Sequence, residues 1–115
     1  MSKMQRDKGK RGELKHRDVL RELGFVKAER GQQRHGGPDS PDVRNGIPGC
    51  HPEVKFYERH AAIRHLEQAE REAPEGATPY AVLRENGMGL MDEAWVVRAR
   101  DVRAFAEAIN SKEIP

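Results

Sequence analysis

The chain has 115 residues, 35% of them charged and 5% aromatic, with 21 Lys and Arg against 19 Asp and Glu for a net charge of +2. That length permits one core of moderate size under a charged surface, and the periodic placing of its apolar residues excludes a disordered polyelectrolyte. The lone Cys50 excludes an internal disulfide and a cysteine zinc cluster, and no apolar run approaches a membrane span, so a soluble, intracellular, cytoplasmic protein is expected. The charge is unevenly placed. Residues 1–60 carry 14 Lys and Arg against 9 Asp and Glu, and residues 61–115 carry 7 against 10. A basic first half is the footprint expected of a phosphate-facing surface.

Residues 1–12 are polar and basic, with Lys3, Arg6, Lys8, Lys10 and Arg11 against Asp7 alone. They read either as a solvated tail or as a flexible arm gripping a nucleic-acid backbone, with Gly9 and Gly12 allowing close approach. From about Lys10 to Leu23 the spacing of Leu14, Val19, Leu20 and Leu23 predicts a helix stopped by Gly24. Glu13 falls seven residues before Leu20, on the same stripe, with His16 and Arg17 at the next turn. A glutamate on or beside an inward face is unusual. It is either salt-bridged at the edge or aimed at other charged groups.

Phe25 to Arg30 reads as a strand, and Gly31 to Ser40 as a loop of turn formers and polar groups. Ser40-Pro41-Asp42-Val43 resumes the sheet, and Arg44 to Gly49 turns the chain around Asn45-Gly46. His51 to Phe56 is expected as a third strand, although Pro52 cannot donate to a ladder and pairing must begin late or at an edge. Alternate side chains of a strand point to opposite faces, so Glu53 and Lys55 share one side and Val54 and Phe56 the other. Paired strands would bring Asp42 beside Glu53. Two carboxylates ~4–5 Å apart repel by about 3–4 kcal/mol at an effective dielectric near 20. A divalent cation or a proton is the natural remedy.

Tyr57 to Ala73 is the clearest helical pattern, with Ala62, Leu66, Ala69 and Ala73 on one side, Gln68 near its edge and Pro74 ending the run. Pro79 to Arg84 is apolar on both faces, which suits a central, covered strand. Glu85 to Asp92 is a turn, Glu93 to Arg98 a returning strand, and Asp101 the cap of a last helix carrying Val102, Phe105, Ala106 and Ile109. The expected class is α/β: one domain over residues 1–115 with residues 1–8 a flexible arm, and a mixed sheet flanked by helices in the order αβββαββα. The five histidines show no ligand spacing.

Glu13 on a helix, Pro41-Asp42 and Glu53-Val54-Lys55 before a further helix together resemble the PD-(D/E)xK nuclease superfamily. The small size, the Gly9-to-Glu13 pattern and Gly24-Phe25 to Arg30 look like the archaeal-type Holliday junction resolvases and their phage relatives. The resemblance runs from about residue 8 to 110 and implies a restriction-endonuclease-like sheet. Two features depart from the family pattern: Pro52 directly before Glu53, and a longer loop before Asp42.

The activity implied is structure-selective endodeoxyribonuclease cleavage of four-way junctions by paired phosphodiester hydrolysis. Glu13, Asp42, Glu53 and the Val54 carbonyl would hold Mg²⁺, with Mn²⁺ substituting. Lys55 would orient or deprotonate the attacking water and neutralise the phosphate, and Gln68 would stand beside the site. Lys8, Lys10, Arg11, Arg30, Arg34 and Ser40 are the expected DNA contacts. The partners implied are branched double-stranded DNA and a second copy in a homodimer, with no membrane, in the host cytoplasm if the chain is phage-encoded. A general, nicking or repair endonuclease remains open on the residues, as do a non-catalytic DNA-binding module and a salt-bridged structural domain.

Overall fold

The computed structural model describes residues 2–31 and 41–111. It is a mixed α/β structure whose chain divides into two compact units, Met1–Tyr57 and Glu58–Pro115.

The first unit opens with α1 (Lys3–Glu22). The expected basic arm is helical from its third residue. Ser2 and Gln5 form a capping box, the Ser2 hydroxyl accepting from the Gln5 N–H at 3.2 Å and the Gln5 side chain from the Ser2 N–H at 3.0 Å. The end is the expected one. Gly24 sits at φ 107°, its N–H donating to the Arg21 carbonyl and the Phe25 N–H to the Leu20 carbonyl, the paired bonds of a Schellman stop. Phe25 is thereby turned onto Leu20 and is not free to begin a strand. Only β1 (Glu29–Arg30) pairs, antiparallel with β2 (Val43–Arg44), in the register Glu29 to Arg44 and Arg30 to Val43.

The third strand expected at His51–Phe56 does not form. The segment runs past Asp42 and shares one long backbone–backbone bond with it, from the Asp42 N–H to the Pro52 carbonyl at 3.4 Å, because proline has no N–H to return. The unit's core is small: Leu20, Ala28 and Val43, with Phe25 and Val54 packed against them.

The second unit begins with α2 (Ala61–Glu72), four residues later than its pattern predicts, and nothing in the local sequence explains the delay. Its stripe buries Leu66, and it ends at an extended Ala73 before Pro74, as expected. Two further strands, β3 (Ala81–Leu83) and β4 (Ala94–Val96), pair antiparallel with Val82 opposite Trp95. The two sheets are separate and two-stranded, so the single mixed sheet of the sequence reading is replaced by two hairpin-like pairs.

The central, covered role expected of β3 is also corrected. With one partner each, both strands are edges, and Val82 is 47% exposed. One face meets α2. The other carries a cluster of Tyr80, Trp95 and Phe105, with ring centroids 5.1–5.8 Å apart. Arg84 shapes the turn that follows β3, donating to the carbonyls of Met88, Gly89 and Leu90 and pairing with Glu93. Asp101 occupies the N-cap of α3 (Val102–Asn110) but makes no side-chain cap bond, since a 3-10 turn over Ala99–Asp101 leads directly into the helix.

Candidate functional site

The first unit brings Glu13, Asp42, Glu53 and Lys55 into one electrostatic neighbourhood. Glu13 reaches it from α1, on the stripe that also buries Leu20, and only 8% of its surface is exposed. Its Oε2 accepts from Arg30 Nε at 3.2 Å. Arg30 was expected at a phosphate; here its guanidinium serves the glutamate. Asp42 immediately precedes β2, and its Oδ2 accepts from the Val54 N–H at 2.7 Å. Val54 meets Asp42 through its N–H, which leaves its carbonyl, the group expected at a metal, out of that bond. Glu53 and Lys55 lie on the same side of the extended segment, as the two-residue period requires, with Lys55 Nζ 3.1 Å from Glu53 Oε1.

The charges act on one another. Burial raises the Glu13 carboxyl above its ordinary value; Arg30 pulls it down, and the negative charges of Asp42 and Glu53 push it further up. Lys55 is also raised, first by its hydrogen bond to Glu53 and then by that carboxylate's charge, with a contribution from Asp42. Its ammonium is therefore held in the charged form at neutral pH.

Two residues whose contact with each other the sequence reading did not foresee, Gly12 and Phe56, fix this geometry. Gly12 is buried, and a Cβ there would stand 3.0 Å from Phe56 Cβ and 3.2 Å from Val54 Cγ1. Only a glycine lets α1 lie this close to the segment that carries Glu53. Phe56 in turn receives Lys8, whose Nζ is 5.4 Å from the ring centroid, and Arg11, whose Cζ is 5.8 Å from it. Gly12 thus serves internal packing and not the close approach of a phosphate; a glycine beside an inward glutamate was the signal available. Lys10 is exposed on α1. Gln68 lies on α2 of the second unit, where its amide donates to Glu72 at 3.2 Å. Arg34 and Ser40 lie outside the described residues.

The donor set is all oxygen, the chemistry that suits Mg²⁺ or Mn²⁺. The side chains as arranged do not close around an ion. Among the described residues no group of three or more His, Cys, Asp or Glu is placed to hold a metal. Asp42 spends one oxygen on Val54 and Glu53 is paired with Lys55, so the fit is one of chemistry and neighbourhood, with Glu53 required to leave its lysine.

The raised Glu13 carboxyl predicts a pH effect with a definite sign. An acid whose folded value lies above its unfolded one binds more protons when folded between the two. Its contribution to stability is therefore full below the ordinary carboxylate value of 4.5 and is lost as pH rises through the folded value. Glu13→Gln removes the charge and keeps an acceptor for Arg30. It is expected to melt higher than the natural protein at pH 7 and to show a smaller advantage at pH 4. Thermal melts of the two proteins across that pH range read both the sign and the loss of the advantage.

Among the described residues no helix is long and apolar enough to cross a membrane. No family model matches the chain, and the searches of curated proteins and of solved structures returned no match.

Proposed function

We propose that this protein is a metal-dependent endodeoxyribonuclease that cuts branched DNA, the four-way junction first among its substrates, acting in the cytoplasm as a homodimer whose twofold axis pairs the incisions. The observation that carries the reading is the convergence of Glu13, Asp42, Glu53 and Lys55. They come from a helix, a strand start and an extended segment, yet each carboxylate's charge is felt at Glu13 and both Asp42 and Glu53 are felt at Lys55. Ordinary surface ion pairs do not bury a glutamate beside two further carboxylates. The sequence motifs support this reading, which stands on these four side chains and not on a restriction-endonuclease-like sheet, since the strands form two separate pairs.

Asp42 and Glu53 would hold the ion, with Glu13 beside them. Bound there, Mg²⁺ would supply charge stabilisation at the phosphate and a water of lowered pKa. The chain's own groups do the rest. Lys55, paired with Glu53 here, would turn to the phosphate and neutralise charge on it when Glu53 holds the ion. Arg30 holds the Glu13 carboxyl in place. Lys8, Lys10 and Arg11 lie on α1 of a unit whose residues 1–57 carry 13 Lys and Arg against 8 Asp and Glu, a surplus suited to tracking a DNA backbone.

One observation favours a second reading, a DNA-binding module without cleavage: the carboxylates do not form a closed metal-holding group. The two readings separate when a labelled four-way junction, a nicked duplex and a linear duplex are incubated with the protein in Mg²⁺ or EDTA. Paired, Mg²⁺-dependent cuts confined to the junction are the expected result. Cutting of every substrate would make it a general nuclease, and tight, salt-sensitive binding without cutting would leave the binding module.

A further inference from the structure

Ser2 to Asp7 are all exposed, and α1 is not buried until Gly12 and Glu13. About two turns of helix, ~10 Å, therefore project from the packed part of the first unit. The capping box of Ser2 and Gln5 closes their outer end, so the projecting turns keep helical geometry.

Five cations sit on this half of the helix, and they divide between two sides. Lys10, Arg6 and Lys3 stand three, seven and ten positions before Glu13. At about 100° per residue they fall within about 80° of it around the helix axis. All three are exposed. Lys8 and Arg11 fall on the far side, where they lie over the Phe56 ring at 5.4 Å and 5.8 Å from its centroid. Asp7, the one acid in this half, lies about 120° from Glu13. The first three cations thus make a stripe that runs down α1 to the buried carboxylate of the candidate site.

We propose that Lys3, Arg6 and Lys10 form a rail for the sugar-phosphate backbone of one duplex arm of the branched DNA. This rests on the nuclease reading above and deepens it, adding Lys3 and Arg6 and setting which side of α1 the DNA follows. The spacing fits the partner. Lys3 to Lys10 spans ~10 Å of helix axis, and a DNA strand carries one phosphate per ~3.4 Å of duplex axis, so three cations meet about three phosphates. The line ends at Glu13, beside Asp42 and Glu53, where the phosphate to be cut would sit. Like charges three and four residues apart weaken a helix, and a polyanion along the stripe removes that cost. Phosphate contacts position an arm without reading its sequence, and a fully paired four-way junction supplies them.

The test is the salt dependence of binding to a labelled, fully paired four-way junction in EDTA, where cutting is suppressed. Lys3→Gln, Arg6→Gln and Lys10→Gln are each expected to make the slope of log K against log [KCl] shallower by about 0.9, the share of one phosphate contact. Lys15→Gln and Lys27→Gln, at exposed cations of the same unit outside the stripe, are expected to leave it unchanged. Met4 is 77% exposed and lies on the side of α1 opposite Glu13. Arg6→Gln combined with Met4→Lys restores the net charge off the stripe and is expected to keep the shallower slope. Equal slopes throughout, the same fall with Lys15→Gln and Lys27→Gln, or recovery of the natural slope by the double variant would overturn the proposal. Cutting of the same junction in Mg²⁺ keeps this separate from the nuclease reading. Cutting by the natural protein with slopes indifferent to the stripe removes the rail alone; stripe-dependent slopes without any cutting remove the nuclease alone.

Discussion

Glu53→Gln is expected to reduce Mg²⁺-dependent cleavage of branched DNA on the order of 10²–10³-fold, the scale on which loss of one charge-stabilising group acts, while DNA binding is kept or tightened. Both halves follow from the Lys55 contact. Glu53 lies 3.1 Å from the ammonium, and its neutral amide would bind a cation weakly and withdraw a negative charge from beside the lysine. Removing one negative charge beside the phosphate path adds attraction where a carboxylate had opposed it. Glu53 and Lys55 are both well exposed, so the change should leave the melting temperature close to that of the natural protein. Cleavage rates and equilibrium binding on the same labelled junction check the two halves together. Near-normal Mg²⁺-dependent turnover by Glu53→Gln would refute its assignment.

Gly12→Leu is expected to destabilise the first unit by about 1–3 kcal/mol, the range for overpacking, and to abolish cleavage with it. The added side chain would begin 3.0 Å from Phe56 Cβ and 3.2 Å from Val54 Cγ1, so α1 and the Val54–Phe56 segment must part. Parting them breaks the 2.7 Å bond from the Val54 N–H to Asp42 and moves Glu53 away from Glu13. Gly9 is the internal control. It lies in the same helix with open space around its Cβ position. Gly9→Ala should therefore stabilise by about 0.5–1 kcal/mol through helix propensity alone. Urea unfolding of the two variants, read beside their cleavage rates, distinguishes steric parting of the two elements from a general effect of glycine in a helix.

Much of the candidate site could be read from sequence because it depends on short periodicities. The seven-residue step from Glu13 to Leu20 put the glutamate on or beside the inward stripe, where it is buried, and the two-residue step from Glu53 to Lys55 put both on one side, where they pair. Gly24 marked the end of α1 because a left-handed residue is needed there. The start of α1 was also written in the chain, as Ser2 and Gln5, but the density of basic charge around them suggested an arm. The sheets were harder, since strand pairing is decided by partners distant in sequence. Pro52 removed a donor at the position where a third strand had to join. The apolar run at Pro79–Arg84 resembled a covered strand, yet the ring contacts that Trp95 and Phe105 make with Tyr80 leave Val82 and Tyr80 half in water.

The most direct test of the account is calorimetric titration of Mn²⁺ or Mg²⁺ into the natural protein and into Asp42→Asn and Glu53→Gln, with uncleavable branched DNA present. Saturable binding to the natural protein, weakened at least ~10-fold in each variant, is the predicted result. Indistinguishable titrations of all three proteins, whether they bind the ion or not, would contradict it.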